Sequence, residues 1–360
     1  MHRNRKIRVL IVDDSAIVRR ILAEALVNES DIEVIGAAPD PYIARDKILV
    51  LDPDVLTLDI EMPRMDGLTF LKKLMQFHPL PAVVISSLTQ PSCQAAIQAL
   101  EYGAVEVLAK PGGPYSVGDL SHTLPQKIRA AAAARLKGQT NECRENQVHS
   151  VLAGPEPDPN TVMAIGASTG GTEAITSVLT RLPESSPGLV IVQHIPPRFS
   201  RAFAERLNRL CKLSVKEAED GDALRPGMAL VAPGDVHMLL RRRTGGYYVN
   251  VKTGPKVCYQ RPSVDVLFLS VAEACGPEAV GVLLTGMGAD GAKGLLTMRQ
   301  AGARTIAQDE TTSVVYGMPR EAANIGAAER ILALEQIPGA MLEPREASQL
   351  TKLQSNGAIR

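Results

Sequence analysis

Thr161-Val162-Met163-Ala164-Ile165-Gly166-Ala167-Ser168-Thr169-Gly170-Gly171 decides which kind of fold the second half of the chain adopts. Residues 162–165 form a short apolar run bounded by small residues, the pattern of a buried strand. The run breaks into Gly166-Ala167-Ser168-Thr169-Gly170, the G-x-S-x-G spacing that presents a nucleophile on a tight strand-to-helix turn. Glycines permit the turn, and exposed amides where a helix begins can bind a negative oxygen. Helical spacing follows over 172–182. Strand, glycine turn and helix together make the repeating unit of an α/β sheet. For the pentapeptide alone three readings stand: a plain glycine-rich loop, an anion site without catalysis, and a catalytic serine. The first two outweigh the third, because short motifs recur by chance.

Downstream, strands are expected at 188–193, 229–232, 247–251, 279–285 and 303–307, with helices at 200–211, 264–275, 291–301 and 320–325. This order predicts a doubly wound sheet, with an antiparallel hairpin over 241–251 turning at Gly245-Gly246. A serine nucleophile needs a base and a carboxylate that orients it. His194 directly follows the apolar strand 189–193, on the same rim as Ser168, which makes it the candidate base. His237 comes only after the turn Pro233-Gly234-Asp235 and is a secondary pocket residue. Thr285-Gly286-Met287-Gly288-Ala289-Asp290-Gly291 repeats the glycine-loop device, so Asp290 reaches that rim and is expected on the histidine Nδ1, with a helix N-cap as its competing role. For Asp265 the N-cap is the stronger reading. The order Ser168, His194, Asp290 differs from the Ser…Asp…His order of α/β-hydrolases and excludes that fold.

Upstream, residues 1–124 alternate strand and helix in the βαβ manner, and five short apolar strands imply a second parallel sheet covered on both faces. Ligands of such sheets gather beyond the carboxyl ends of the strands. There lie Asp13-Asp14, Asp59, Ser86-Ser87 and Lys110-Pro111. Converging carboxylates repel unless a cation neutralises them, and oxygen ligands of this kind suit Mg²⁺. Residues 125–159 read as a linker, with a helix starting at Pro125 and a Pro-Gly-rich exit at Gly154-Pro155-Glu156-Pro157-Asp158-Pro159.

Lys+Arg and Asp+Glu both number 39, so no net field favours nucleic acid or an anionic membrane. No apolar run is long enough to span a bilayer, and the residues after Met1 do not form a signal peptide. Five scattered cysteines, never spaced C-x-x-C, read as reduced thiols of a cytoplasmic protein.

Val9-Leu10-Ile11-Val12-Asp13-Asp14-Ser15, Asp59-Ile60-Glu61-Met62-Pro63-Arg64-Met65-Asp66-Gly67, Ser86 and Lys110-Pro111 resemble the receiver domain of two-component response regulators. The resemblance implies phosphorylation of Asp59 by a sensor histidine kinase. It also implies Mg²⁺ held by Asp14 and Asp59 with Asp13 and the Glu61 backbone carbonyl, a phosphoryl-sensing hydroxyl at Ser86, and Lys110 on a phosphoryl oxygen. Val107 stands where receivers often carry an aromatic switch residue, a departure that leaves the ring-flip part of the switch without its residue.

Gly166 to Gly171, Gln193-His194-Ile195-Pro196-Pro197, Ala232-Pro233-Gly234-Asp235-Val236-His237, residues 285–291, Arg261-Pro262-Ser263-Val264-Asp265 and residues 308–319 resemble the chemotaxis protein-glutamate methylesterase (CheB) family. The resemblance covers nearly the whole chain. It implies two α/β domains with doubly wound parallel sheets: a flavodoxin-like receiver at 1–124 and, after the 125–159 linker, a Rossmann-like methylesterase domain at 160–342. A tail at 343–360 follows. It further implies a Ser168-His194-Asp290 triad acting on methylated glutamates of chemoreceptors and deamidating their glutamines, with no cofactor for that reaction. Backbone amides at Thr169 and Met287 would form the oxyanion hole. The unphosphorylated receiver would block a monomeric enzyme. The competing expectation is a response regulator with a non-catalytic protein-binding output domain.

Overall fold

The computed structural model describes residues 5–111, 117–135 and 160–344. The expected linker beyond 135 and the tail beyond 344 lie outside the described residues.

The first sheet is built from β1 (Ile7–Val12), α1 (Ala16–Leu26), β2 (Ile32–Ala38), α2 (Pro41–Leu51), β3 (Val55–Asp59), α3 (Gly67–Phe77), β4 (Ala82–Ser86), α4 (Gln90–Glu101), β5 (Glu106–Ala109) and α5 (Val117–Ala133). Its strand order is β2-β1-β3-β4-β5, all parallel, the flavodoxin-like order. The order reverses between β1 and β3, which places the ends of those strands, Asp13-Asp14 and Asp59, on either side of one crevice.

Pro125 corrects the expected helix start. It lies inside α5, eight residues after the helix begins at Val117. A proline there removes one backbone hydrogen bond. The helix persists because Leu120, Leu124, Ile128 and Ala131 pack into the receiver core with Val9, Ile11 and Val83. Burying each such side chain is worth about 1.5–3 kcal/mol, enough to offset a proline interruption of about 3 kcal/mol. The covering helix of the receiver therefore runs past residue 124 into the segment expected as linker.

The second sheet begins with β6 (Val162–Ala167) and α6 (Gly171–Leu179), then β7 (Gly188–Gln193) and α7 (Phe199–Leu210). Next come β8 (Ser214–Glu217), β9 (Ala223–Leu224), β10 (Met228–Val231), β11 (His237–Arg243), β12 (Gly246–Lys252) and α8 (Val264–Cys275). The chain closes with β13 (Ala279–Leu283), α9 (Ala292–Gln300), β14 (Arg304–Gln308), α10 (Met318–Asn324), β15 (Arg330–Leu332) and α11 (Ile337–Leu342). A 7-stranded sheet of order β15-β14-β13-β6-β7-β10-β8 is parallel throughout. The chain winds outward from β6 in one direction through β7 and in the other through β13, so the switch point lies between β6 and β13. The expected hairpin is present as β11-β12, and β9 pairs with β12 to complete a small antiparallel sheet. Met238, Leu240 and Val249 of that sheet share a core with Leu267, Phe268 and Val271 of α8.

The two sheets meet. Among the described residues, α4 packs on α7, the Arg206 guanidinium pairs with Glu101 of α4 and Glu173 of α6, and Arg198 donates to the Leu88 carbonyl. Just past α5, Arg135 pairs with Glu310, and its amide donates to Val314 O.

Candidate active site

Ser168 and His194 are the residues that directly follow two paired strands. Ala167 on β6 is in register with Gln193 on β7, and His194 N donates to Ala167 O at 3.1 Å. The chain past β13 closes the third side, where Ser168 N donates to Thr285 O at 3.0 Å. A Cβ on Gly286 would lie 2.7 Å from Ser168 Cβ and 2.3 Å from Met318 Sδ, so only glycine permits this approach. Gly170 takes φ +75° at the start of α6 and makes the turn that the pentapeptide predicted. Gln193, which the sequence reading passed over, braces the loop by donating Nε2 to Ser168 O at 2.8 Å.

His194 meets Asp290 through Nε2, at 2.8 Å from Oδ2, rather than through the expected Nδ1. Among the described residues, the buried His194 Nδ1 has no hydrogen-bond partner. With Nε2 donating to the carboxylate, the ring lone pair lies on Nδ1. The swap follows from where Asp290 is held. Its own helix, α9, is capped by Gly291, and the Asp290 side chain instead caps α8. Oδ2 accepts from Val264 N at 2.8 Å, and Oδ1 accepts from Ser263 Oγ at 2.8 Å and Asp265 N at 3.1 Å. The N-cap expectation was thus right in kind but wrong about which helix. Burial alone would raise the Asp290 carboxyl, but the His194 bond, the amides and Ser263 outweigh it and hold it below its ordinary value.

His237 is placed one step behind this group. Its Nε2 donates to Pro255 O at 2.9 Å, and its Nδ1 accepts from Ser263 N at 3.2 Å. Both nitrogens are engaged, so His237 supports the start of α8 and does not line the space at Ser168. Asp265 is also internal, with Oδ1 accepting from Gly294 N at 2.7 Å and so tying α8 to α9. Met287 is half-exposed on the loop past β13. Among the described residues, neither Thr169 N nor Met287 N has a hydrogen-bond acceptor.

The receiver crevice gathers most of the residues expected there. Carboxylate oxygens of Asp13, Asp14 and Asp59 lie within 4.8 Å of one another. Lys110 Nζ is 2.7 Å from Asp59 Oδ2 and 3.3 Å from Asp13 Oδ2, while Asp59 Oδ1 accepts from Glu61 N at 3.1 Å. Burial pushes the Asp59 carboxyl up to about 6 against the pull of Lys110. Ser86 Oγ is turned to the Ser92 carbonyl at 3.2 Å. Ser92 and Ser87 both donate to Glu61 Oε1. Val107 lines a cavity of about 350 Å³ between the domains, facing His194, Ile195 and Tyr259 across it.

Ser168 is 4% exposed and His194 6%, and His194 lines the interdomain cavity together with Val107 and Lys127 of the first domain. Thr169 Oγ1 donates to Glu106 Oε1 of β5 across the interface at 2.5 Å, a contact with no signal in the sequence.

Family models match at both ends of the chain: the response regulator receiver domain over residues 9–118 and the CheB methylesterase over 163–341. A protein-glutamate methylesterase/protein-glutamine glutaminase 2 of Syntrophus aciditrophicus is 57% identical over 92% of this chain and 97% of its own length. A protein-glutamate methylesterase/protein-glutamine glutaminase of Salmonella typhimurium is 51% identical over 97% of this chain and 99% of its own. The solved CheB methylesterase catalytic domain of Thermotoga maritima is 35% identical and covers 53% of this chain and 98% of its own, with a TM-score of 0.50. With both models matched in order and relatives this similar over nearly full length, the chain belongs to the CheB methylesterase family, a receiver domain joined to a methylesterase domain.

Proposed function

We propose that this chain is a receiver-regulated hydrolase that removes methyl esters from protein glutamate side chains, and ammonia from protein glutamines, through Ser168. The observation that carries this reading is the buried Asp290–His194 pair beside Ser168, with an unpartnered Nδ1 left on the ring. His194 Nδ1 takes the Ser168 proton as Oγ attacks the side-chain carbonyl. Asp290 fixes the tautomer and stabilises the imidazolium. Thr169 N and Met287 N, which lack acceptors, receive the oxyanion. Methanol leaves with the proton from His194. Water, deprotonated by the same nitrogen, then cleaves the glutamyl-serine ester and restores a glutamate. With ammonia as leaving group the same sequence deamidates glutamine.

The receiver supplies control. Asp59 is the proposed phosphorylation site, with a sensor histidine kinase as donor and methyl-accepting chemoreceptors as substrates. The donor set fits Mg²⁺: three carboxylates within 4.8 Å, one of whose buried oxygens, Asp13 Oδ2, has only the 3.3 Å approach of Lys110. Asp13, Asp14, Asp59 and the Glu61 carbonyl would hold the ion, which neutralises charge on the incoming phosphoryl group. Lys110 is the proposed partner of a phosphoryl oxygen, and Ser86 would have to leave the Ser92 carbonyl to sense it. The near-complete burial of Ser168 and His194 beneath the docked receiver supports autoinhibition in the unphosphorylated state.

Methanol release from methylated receptor, with Ser168→Ala beside wild type, tests the catalytic reading. Loss of turnover in the variant is expected. Equal rates would leave a protein-binding output domain instead.

A further inference from the structure

Glu106 is a buried carboxylate for which the proposed reaction has no use. It opens β5, the edge strand of the receiver sheet, and its side chain crosses to the catalytic domain. Oε1 accepts from Thr169 Oγ1 at 2.5 Å and from Lys127 Nζ of α5 at 2.8 Å. A charge so enclosed is tolerated only when paired, and Lys127, itself largely buried, supplies the pairing. Thr169 directly follows the proposed nucleophile, and its amide is one of the two without an acceptor. Among the described residues, the ion pairs Arg206–Glu101 and Arg135–Glu310 also bridge the domains, neither at a residue adjacent to Ser168.

The group presented to Thr169 is a protein glutamate carboxylate, and a protein glutamate carboxylate is what ester hydrolysis by Ser168 leaves on its substrate. We infer that Glu106 is a built-in product mimic: while the receiver is docked it occupies a subsite on the Thr169 hydroxyl that the substrate glutamyl group takes when the receiver is displaced. The inference rests on the reading of Ser168 as the ester-hydrolysing nucleophile. It adds a substrate-positioning role for the Thr169 side chain, and it makes the inhibition competitive, since one carboxylate and one substrate group contend for one hydroxyl. Glu106 opens β5 and Lys110 directly follows its last residue, so the segment whose end pairs with Asp59 carries the mimic at its start.

An intramolecular competitor raises the apparent KM and the apparent Ki of any product analogue by one common factor and leaves kcat alone. The test uses the full chain without phosphodonor and reads methanol release from methylated receptor, with N-acetylglutamate amide as the product analogue. Glu106→Gln, nearly isosteric, and Glu106→Ala are each expected to lower KM and Ki together by about tenfold, the worth of one charge-assisted hydrogen bond, with kcat unchanged. Phosphodonor then adds little to either variant. In the Glu106→Ala background, Thr169→Val is expected to weaken the analogue by about tenfold through loss of the hydroxyl. Unchanged KM in both Glu106 variants, with turnover still abolished by Ser168→Ala, would overturn the inference and leave the proposed function standing. Release from autoinhibition with analogue binding indifferent to Thr169→Val would overturn the subsite. Turnover that survives Ser168→Ala would instead refute the underlying function.

Discussion

Asp290 keeps its charge where water barely reaches, at 2% exposure, because two amides at the start of α8, the Ser263 hydroxyl and the His194 ring all donate to it. An amide in its place cannot accept from all of these donors and lets the ring take the wrong tautomer. Asp290→Asn is therefore expected to lower kcat about 10⁴-fold in the methanol assay while leaving KM close to wild type. Gly286→Ala acts by sterics alone. Its Cβ would press on Ser168 Cβ and Met318 Sδ, costing about 1–3 kcal/mol, which a thermal melt reads as a drop of several degrees. At the other crevice, the raised Asp59 carboxyl predicts a pH signature. A folded-state value near 6, above the ordinary 3.8, contributes stability fully present below about 3.8 and lost as pH rises through 6. In metal-free buffer Asp59→Asn should melt above wild type at pH 7.5, with the gain vanishing below about pH 4. A gain that persists in acid would contradict it. Mg²⁺ should shrink the difference by stabilising the wild type alone.

Elements explain which parts of the site were legible. Ser168, His194 and Asp290 could be read from the chain because each directly follows, or closes the loop after, a fully buried apolar strand: β6, β7 and β13. The nitrogen that meets Asp290 could not. It depends on α8, about a hundred residues beyond Ser168 in the chain, whose N-terminus draws the carboxylate to one side. Ser263 and Gln193 were invisible for the same reason, since a side chain that braces a backbone atom leaves no spacing behind it, and His237 was legible as a residue of this region but not as a brace of the α8 start. Polar edge strands escaped as well. Ser214-Val215-Lys216-Glu217 carries a single buried valine, so β8 offers no apolar run to read. Pro125 misled in the other direction, because its local cost is visible in sequence and the core packing of α5 that offsets it is not. The α8 terminus yields its own prediction. Ser263→Ala removes both the cap to Val266 N and the bond to Asp290, so it should cost about 0.5–2 kcal/mol in a denaturant titration and also reduce kcat.

At the scale of the whole molecule, two sheets with separate crevices meet, with β5 of the first against the rim of the second that carries Ser168 and His194. Among the described residues the domains are coupled through the α4–α7 packing, the buried Arg206 with Glu101, Arg198 with the Leu88 carbonyl, Arg135 with Glu310 and Val314 O, and Glu106 with Thr169. Loosening any of them need not disturb the proposed triad, whose His194–Asp290 bond and contacts to the start of α8 lie within residues 194–290. Arg206→Ala is expected to raise the unphosphorylated rate several-fold and leave the phosphorylated rate near wild type, because it removes the Arg206–Glu101 pair that bridges the domains while they are closed. The most direct test of a regulated serine is methanol release from methylated chemoreceptor membranes by wild type, Ser168→Ala and Asp59→Asn, each with and without a small-molecule phosphodonor. Stimulation of wild type is expected, with no stimulation of Asp59→Asn and no release by Ser168→Ala under either condition. Release by Ser168→Ala, or equal stimulation of Asp59→Asn and wild type, would contradict it.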